Sequence, residues 1–285
     1  MTDVSVETTE FAARDGFKLQ ASIFTPAGDV CSTVVVLPGM AVHRRFYAAF
    51  ARHLAGHARR VVTFDYRGIG GSRPARLRGF PATMLDWADL DAWGVCAEVT
   101  KAWPGQPLHV VGHSYGGQAY GLAPHPAVTC MVGIAAQSGD MRLFDREMAR
   151  QVRWLTHYAA PVAIPLFGYF PAGRIGGGGE DVPAGVYRQW GRWCLTPGYF
   201  FGDPAVHAGE RFAEARARVH LIGFADDRYA PPAAVEALAQ CFPGRLESLE
   251  IMPAAMTASS RSRHFDCFRA GLAEPLWDAV DAHLG

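Results

Sequence analysis

Two kinds of hydrophobic pattern alternate along the chain. Continuous apolar runs at Thr33 to Leu37, Val61 to Phe64, Leu108 to Val111 and Thr129 to Ala135 have the form of parallel strands buried on both faces. Between them, over Phe46 to Ala55 and Thr83 to Trp103, apolar residues recur every three or four positions, which predicts helices. In the second helix Trp87, Leu90, Trp93 and Val95 are expected to face the sheet and Asp86, Asp89 and Asp91 the outer side, and Pro104-Gly105 stops it. Ahead of this rhythm, Glu7 to Ala13 and Phe17 to Thr25 flank the turn Arg14-Asp15-Gly16 and read as an antiparallel edge hairpin. After Ala135 the rhythm stops. From Ser138 to Ala215 the chain carries Trp154, Tyr158, Phe167, Tyr169, Phe170, Trp190, Trp193, Tyr199, Phe200 and Phe201, interrupted by Gly176 to Gly179 and several prolines. This stretch is expected to be a mostly helical cap. The rhythm resumes with a strand at Val219 to Phe224, a helix at Pro232 to Cys241, a strand at Leu246 to Ile251, a polar loop ending in Arg263-His264-Phe265, and a last helix at Pro275 to Leu284.

The predicted architecture is α/β: an eight-stranded, mostly parallel, doubly wound sheet formed by residues 1–137 and 216–285, with residues 138–215 inserted as a helical cap before the strand at Val219. Ligands of such sheets bind beyond the carboxyl ends of the strands, where Ser114, Asp226, Asp227 and His264 all fall.

Composition narrows the function classes. A 285-residue chain with 49% hydrophobic residues can bury a large core, and its formal net charge of zero supplies no footprint for nucleic acid. The six cysteines are scattered without a Cys-x-x-Cys pair, which suits reduced thiols in the cytoplasm. Met1 to Glu10 is polar and acidic, unlike a signal peptide, and the apolar stretch Ala159 to Phe170 is broken by Pro161 and Pro165 and too short to span a bilayer. His264 and Cys267 have ligand-like spacing but no companions, so no metal or cofactor is expected. Arg142, Arg146, Arg150 and Arg153 lie near helical spacing and read as a solvated face, with an anion site as the alternative. The partner implied is a small molecule, with no membrane insertion.

The chemistry centres on Gly112-His113-Ser114-Tyr115-Gly116, where a strand breaks into a helix. A serine on a sharp turn at a strand end exposes its Oγ to a base, and the flanking glycines leave room for the turn. Attack on a carbonyl needs a histidine to take the proton and a carboxylate to orient that histidine. His125 follows the serine's helix too closely, His157 and His207 lie in the insertion, His220 is inside a strand and His283 ends the last helix, so His264 is the candidate base. Asp226 and Asp227 are adjacent acid candidates, and either could instead cap the following helix. Asp227, four residues before Pro231, is preferred and Asp226 is the alternative. The oxyanion donors expected are the backbone N–H groups of Met40 and Tyr115.

With these residues in view, the chain from Thr33 onward resembles the α/β-hydrolase superfamily, and more narrowly bacterial hydrolases of the serine aminopeptidase and esterase type. The resemblance is carried by Asp65-Tyr66-Arg67-Gly68-Ile69-Gly70-Gly71-Ser72, Gly112 to Gln118, Phe224-Ala225-Asp226-Asp227 and His264 to Arg269. It implies Ser114 as nucleophile, His264 as base and Asp227 as its orienter, in hydrolysis of a carboxylic ester or thioester through an acyl-serine. An amide substrate, acyl transfer or cyclisation would use the same parts, and a ligand-binding relative without catalysis is the alternative of another class. Two departures stand out: Pro38 where many members have histidine, and Arg263 where glycine often precedes the catalytic histidine, the second of which could shift the histidine loop. The aromatics of the insertion suggest an apolar acyl or alcohol moiety, or else serve to hold the insertion to the body.

Overall fold

The computed structural model describes residues 3–175, 179–253, 263–271 and 273–285. Its strands are β1 (Val4–Ala12), β2 (Lys18–Pro26), β3 (Ser32–Leu37), β4 (Arg59–Phe64), β5 (Leu108–His113), β6 (Val128–Ile134), β7 (Tyr169–Phe170), β8 (Val182–Pro183), β9 (Arg218–Phe224) and β10 (Leu246–Met252). Eight of them form one sheet in the order β1-β2-β4-β3-β5-β6-β9-β10, while β7 and β8 make a separate ribbon. Within the eight-stranded sheet the pairings β1/β2 and β2/β4 are antiparallel and the others parallel, so the expected edge hairpin sits on an otherwise parallel sheet.

Burial explains the continuous apolar runs. Every residue of β3 and β5 is buried, because Val34 lies between Val61 of β4 and His109 of β5 while helices cover both faces. Helix Ala48–Gly56 packs on β4 and on the last helix, Glu274–Leu284, and helix Tyr115–Leu122 packs on β3 and β5. The stretch Asp65 to Ser72 after β4 serves the fold. The Asp65 carboxylate is fully buried and accepts from the N–H of Arg44 (2.7 Å) and of Gly71 (2.9 Å), besides pairing with the Arg44 guanidinium. The Ser72 hydroxyl donates to the Asp65 carbonyl (2.7 Å) and accepts from the Gln20 N–H (2.8 Å), tying this loop to β2.

The helix expected over Thr83 to Trp103 runs from Met84 to Ala102, starting with a capping box between Thr83 and Asp86. Trp87 and Val95 are buried, whereas Leu90 and Trp93 are half-buried. Asp91 departs from expectation: it is fully buried rather than on the outer side. The segment Trp87–Ala92 is a π-helix, whose wider turn changes which side chains face inward. There Asp91 accepts from the Arg67 N–H (2.8 Å) and Nε (2.7 Å) while Asp15 accepts from the two outer guanidinium nitrogens (2.9 and 2.8 Å), and burial pushes the Asp91 pKa up to about 7.

Between β6 and β9 the chain is mainly helical. Arg146–Trp154, the π-helical Leu155–Ala159 and Ala160–Phe167 run as one continuous helix, followed by Ala172–Ile175, Ala184–Leu195 and Ala208–Ala213. The wide turn precedes Pro161, which has no N–H to continue the regular ladder. Its aromatics divide three ways. Trp193 and Phe200 are buried, and Phe200 stacks on Phe212, each Phe burial worth about 1.5–3 kcal/mol. Phe170, Trp190 and Tyr199 line a cavity. Trp154 and Tyr158 are exposed.

Candidate active site

β5 ends at His113 and the next helix begins at Tyr115, so Ser114 alone makes the turn, with φ 51° and ψ −116°. A positive φ is strained for a residue with a side chain, and strain of this kind concentrates where function needs an exposed group. Packing holds it: the Ser114 N–H donates to the Ile134 carbonyl at 3.0 Å. A Cβ on Gly112 would lie 2.5 Å from the Gly117 nitrogen, and one on Gly116 would lie 2.0 Å from the Leu37 carbonyl oxygen. Those two positions therefore accept only glycine.

The loops after β9 and β10 bring an imidazole and a carboxylate together. His264 Nδ1 lies 2.8 Å from Asp227 Oδ2, with both side chains buried. The other carboxylate oxygen accepts from the N–H groups of Tyr229 (2.8 Å) and Ala230 (3.1 Å), so the loop itself aims the acid. An acceptor on Nδ1 places the ring hydrogen there and leaves Nε2 with its lone pair. Asp226, by contrast, is exposed, and the helix from Pro232 has no side-chain cap. Residues 254–262 of the expected polar loop lie outside the described residues. Arg263 opens the short helix Arg263–Asp266 and leaves His264 within reach of Asp227.

A buried chain of hydrogen bonds runs behind this pair and escaped the sequence reading. The Gly39 N–H donates to the Tyr47 hydroxyl oxygen (2.9 Å), that hydroxyl meets His113 Nδ1 (2.8 Å), and His113 Nε2 meets the backbone carbonyl of His264 (2.8 Å). Since a carbonyl only accepts, Nε2 of His113 carries the hydrogen, and its Nδ1 accepts from Tyr47. Burial, with His264 nearby, pushes the His113 pKa well below its ordinary value, and burial pushes that of the Tyr47 phenol well up. Both therefore remain neutral at pH 7. The chain links the loop of Gly39 and Met40, the residue before the serine, and the backbone of His264. His113 stood inside the motif, but nothing local marked its partner Tyr47.

Ser114, His264 and Met40 line one cavity of about 240 Å³. Its walls include Val42, Met141, Met148, Val152, Leu155 and Phe265, and its polar groups include Gln118 and Gln137. The Tyr199 hydroxyl donates to Gln118 Oε1 (3.2 Å), Gln118 Nε2 to the Gln137 carbonyl (2.6 Å), and Gln137 Nε2 to the Tyr229 carbonyl (3.1 Å). Gln137 Oε1 is buried with no partner among the described residues. The Tyr115 ring turns into the core, where its hydroxyl donates to the Met84 carbonyl, while its N–H lies in the first turn of the helix, without an intrahelical partner.

Cys267 Sγ lies 3.3 Å from the His264 carbonyl oxygen, a backbone contact. Elsewhere His53, His57 and Asp278 place three ligand atoms within 4.8 Å of one another, and none of the three lines the Ser114 cavity. All six cysteines are free thiols. Among the described residues no helix is long and apolar enough to cross a membrane.

An eight-stranded, mostly parallel sheet with a strained serine at a strand-to-helix turn defines the α/β-hydrolase class. The chain belongs to the alpha/beta hydrolase family, whose model matches residues 34–264. No curated protein matches the sequence. Among solved structures, DcsB in complex with its substrate analogue is similar with a TM-score of 0.66 and 15% identity, covering 98% of each chain. An esterase of Pyrococcus furiosus has a TM-score of 0.62 and 13% identity, over 99% of this chain and 92% of that one. An esterase of Exiguobacterium antarcticum has a TM-score of 0.59 and 16% identity, over 98% and 99%. Identities this low carry the fold alone.

Proposed function

We propose that the protein is a serine hydrolase that cleaves a carboxylic ester of a small, largely apolar substrate through an acyl-Ser114 intermediate. The observation that carries this reading is the 2.8 Å contact of His264 Nδ1 with Asp227, on the wall of a cavity that also holds the strained Ser114. His264 Nε2 takes the Ser114 proton as Oγ attacks the carbonyl carbon. Charge developing on the carbonyl oxygen is met by the N–H groups of Met40 and Tyr115. His264 then returns the proton to the leaving alcohol, and water repeats the sequence on the acyl-enzyme to release the acid. Residues 138–215 act as a cap: Met148, Val152, Leu155 and Trp190 from this segment close the cavity over Ser114 and favour an apolar group.

The buried chain through Tyr47 positions the reacting groups without touching substrate. Tyr47→Phe removes the acceptor for the Gly39 N–H and the donor that holds the His113 tautomer. Steady-state kinetics on a chromogenic ester are expected to show kcat reduced roughly five- to tenfold, or about 1–1.4 kcal/mol, with KM unchanged. A raised KM at constant kcat would assign Tyr47 to the pocket instead.

The direct test is intact-mass analysis after treatment with a fluorophosphonate, followed by peptide mapping. One adduct is expected, on the peptide holding Ser114, and none on Ser114→Ala. A folded wild-type protein that stays unlabelled, or that is labelled elsewhere, overturns the reading.

A further inference from the structure

The long helix of the insertion is apolar on two sides. Met148, Val152 and Leu155 face the cavity, yet a second row of large apolar side chains points outward. Trp154, Tyr158, Val162 and Leu166 are 55%, 66%, 69% and 63% exposed, one per turn along a single ridge. A helix apolar on two faces is at home between two apolar phases, not between a cavity and water. The same four-residue spacing extends back through Arg150 and Arg146, both exposed. Read from one end over a length on the order of 30 Å, the ridge passes from cations to Trp and Tyr and then to aliphatic side chains. Cations beside exposed aromatic and aliphatic side chains on one helix are the composition of a helix that lies in a membrane interface.

Charge selects among occupants. Residues 146–175 and 184–195 together carry six arginines and a single glutamate, in a chain of formal net charge zero. Arg153 is exposed beside Trp154; Asp145 and Glu147 at the same end both pair with Arg228, and Arg192 pairs with Asp203. Arg78 and Arg174 flank the apolar end: Arg78 donates to the Leu166 carbonyl and Arg174 lies over the Phe167 ring at 5.4 Å. An open groove of about 610 Å³ is lined jointly by this helix, through Ala160, Pro161 and Ile164, and by helix Ala184–Leu195, through Arg188 and Arg192. A second copy of the chain fits poorly. A two-fold axis along the helix sets arginine against arginine, and one across it that pairs Trp154 with Leu166 and Tyr158 with Val162 turns the Arg146 end of each copy toward the other's Arg78 and Arg174. A fluid anionic leaflet satisfies both halves of the ridge without a complementary socket.

We propose that this outer ridge docks the protein peripherally on an anionic lipid surface, with the arginines at the phosphates and Val162 and Leu166 among the upper acyl chains. Resting on the hydrolase reading, the further consequence is an ester drawn from the leaflet, because the docked helix is the wall between lipid and Ser114. Docking is tested on full-length Ser114→Ala protein by co-sedimentation with vesicles of phosphatidylcholine, with and without phosphatidylglycerol. Binding is expected only where phosphatidylglycerol is present. Trp154→Ser with Leu166→Ser is expected to weaken it tenfold or more, and Arg146→Gln with Arg150→Gln by about 30-fold, the latter loss shrinking at high salt. Fluorophosphonate labelling of the ridge variants, with Ser114 intact and no vesicles, follows the active site separately. Absence of binding to anionic vesicles, binding indifferent to both pairs of substitutions, or a dimer in sedimentation equilibrium that the ridge variant dissociates would each overturn the docking proposal, whether or not Ser114 is labelled.

Discussion

His264→Ala is expected to slow acylation of Ser114 by about 10⁴- to 10⁶-fold, or about 5–8 kcal/mol of transition-state stabilisation. The loss follows from the geometry. Of the histidines described, His264 is the one that combines a buried carboxylate on Nδ1 with a place on the Ser114 cavity wall. His113 lines the same cavity, but both of its ring nitrogens are engaged, by Tyr47 and by the His264 carbonyl, and burial disfavours its protonated form. It cannot take over as base. The alanine variant keeps the residue 264 carbonyl that accepts from His113, so the loop retains its anchor and the loss reports chemistry rather than unfolding. Single-turnover kinetics with a chromogenic ester, or the rate of fluorophosphonate labelling, measures it. A variant within tenfold of wild type would remove His264 from the mechanism.

Asp227→Asn should cost about 10⁴ in kcat, while Asp226→Asn stays within about twofold of wild type. Asparagine can keep the two backbone bonds from Tyr229 and Ala230 on its oxygen and turn its amide nitrogen toward His264. Facing a donor, Nδ1 of the imidazole must accept, which moves the ring hydrogen to Nε2 and removes the lone pair that Ser114 needs. The fold survives and the base is lost. Asp226 is exposed in the same loop, so its charge is screened by water. Measuring kcat for the two variants side by side decides the assignment. The reverse ranking would make Asp226 the acid.

The buried Asp91 shows where reading from periodicity fails. Asp86, Asp89 and Asp91 looked alike as polar positions of one helix, yet Asp86 closes a capping box, Asp89 meets Arg211, and Asp91 is enclosed with Arg67. A regular helical period does not anticipate a π-helical turn, and the guanidinium that makes burial tolerable comes from the loop after β4. Of the four arginines read as one exposed helical face, Arg146, Arg150 and Arg153 are exposed on the helix, whereas Arg142 precedes it in a separate turn and pairs with Asp140. What lies beside them on the helix was not legible, because Trp154, Tyr158, Val162 and Leu166 are core residues by composition and became a surface ridge only through the direction in which the helix packs.

From sequence alone came the strand and helix rhythm, the hairpin at the sheet edge, the strained serine and the short roll of histidines able to serve it. These rest on local physics: the two-residue and 3.6-residue periods, the glycines that a tight elbow demands, and the order of motifs along the chain. Tertiary structure alone decided which aspartate meets His264 across 37 residues, that His113 reaches the His264 backbone across 151, and that Tyr47 joins them from 66 residues away. Contacts at such separations leave no periodic trace, because each depends on segments from different strands arriving at the same edge of the sheet.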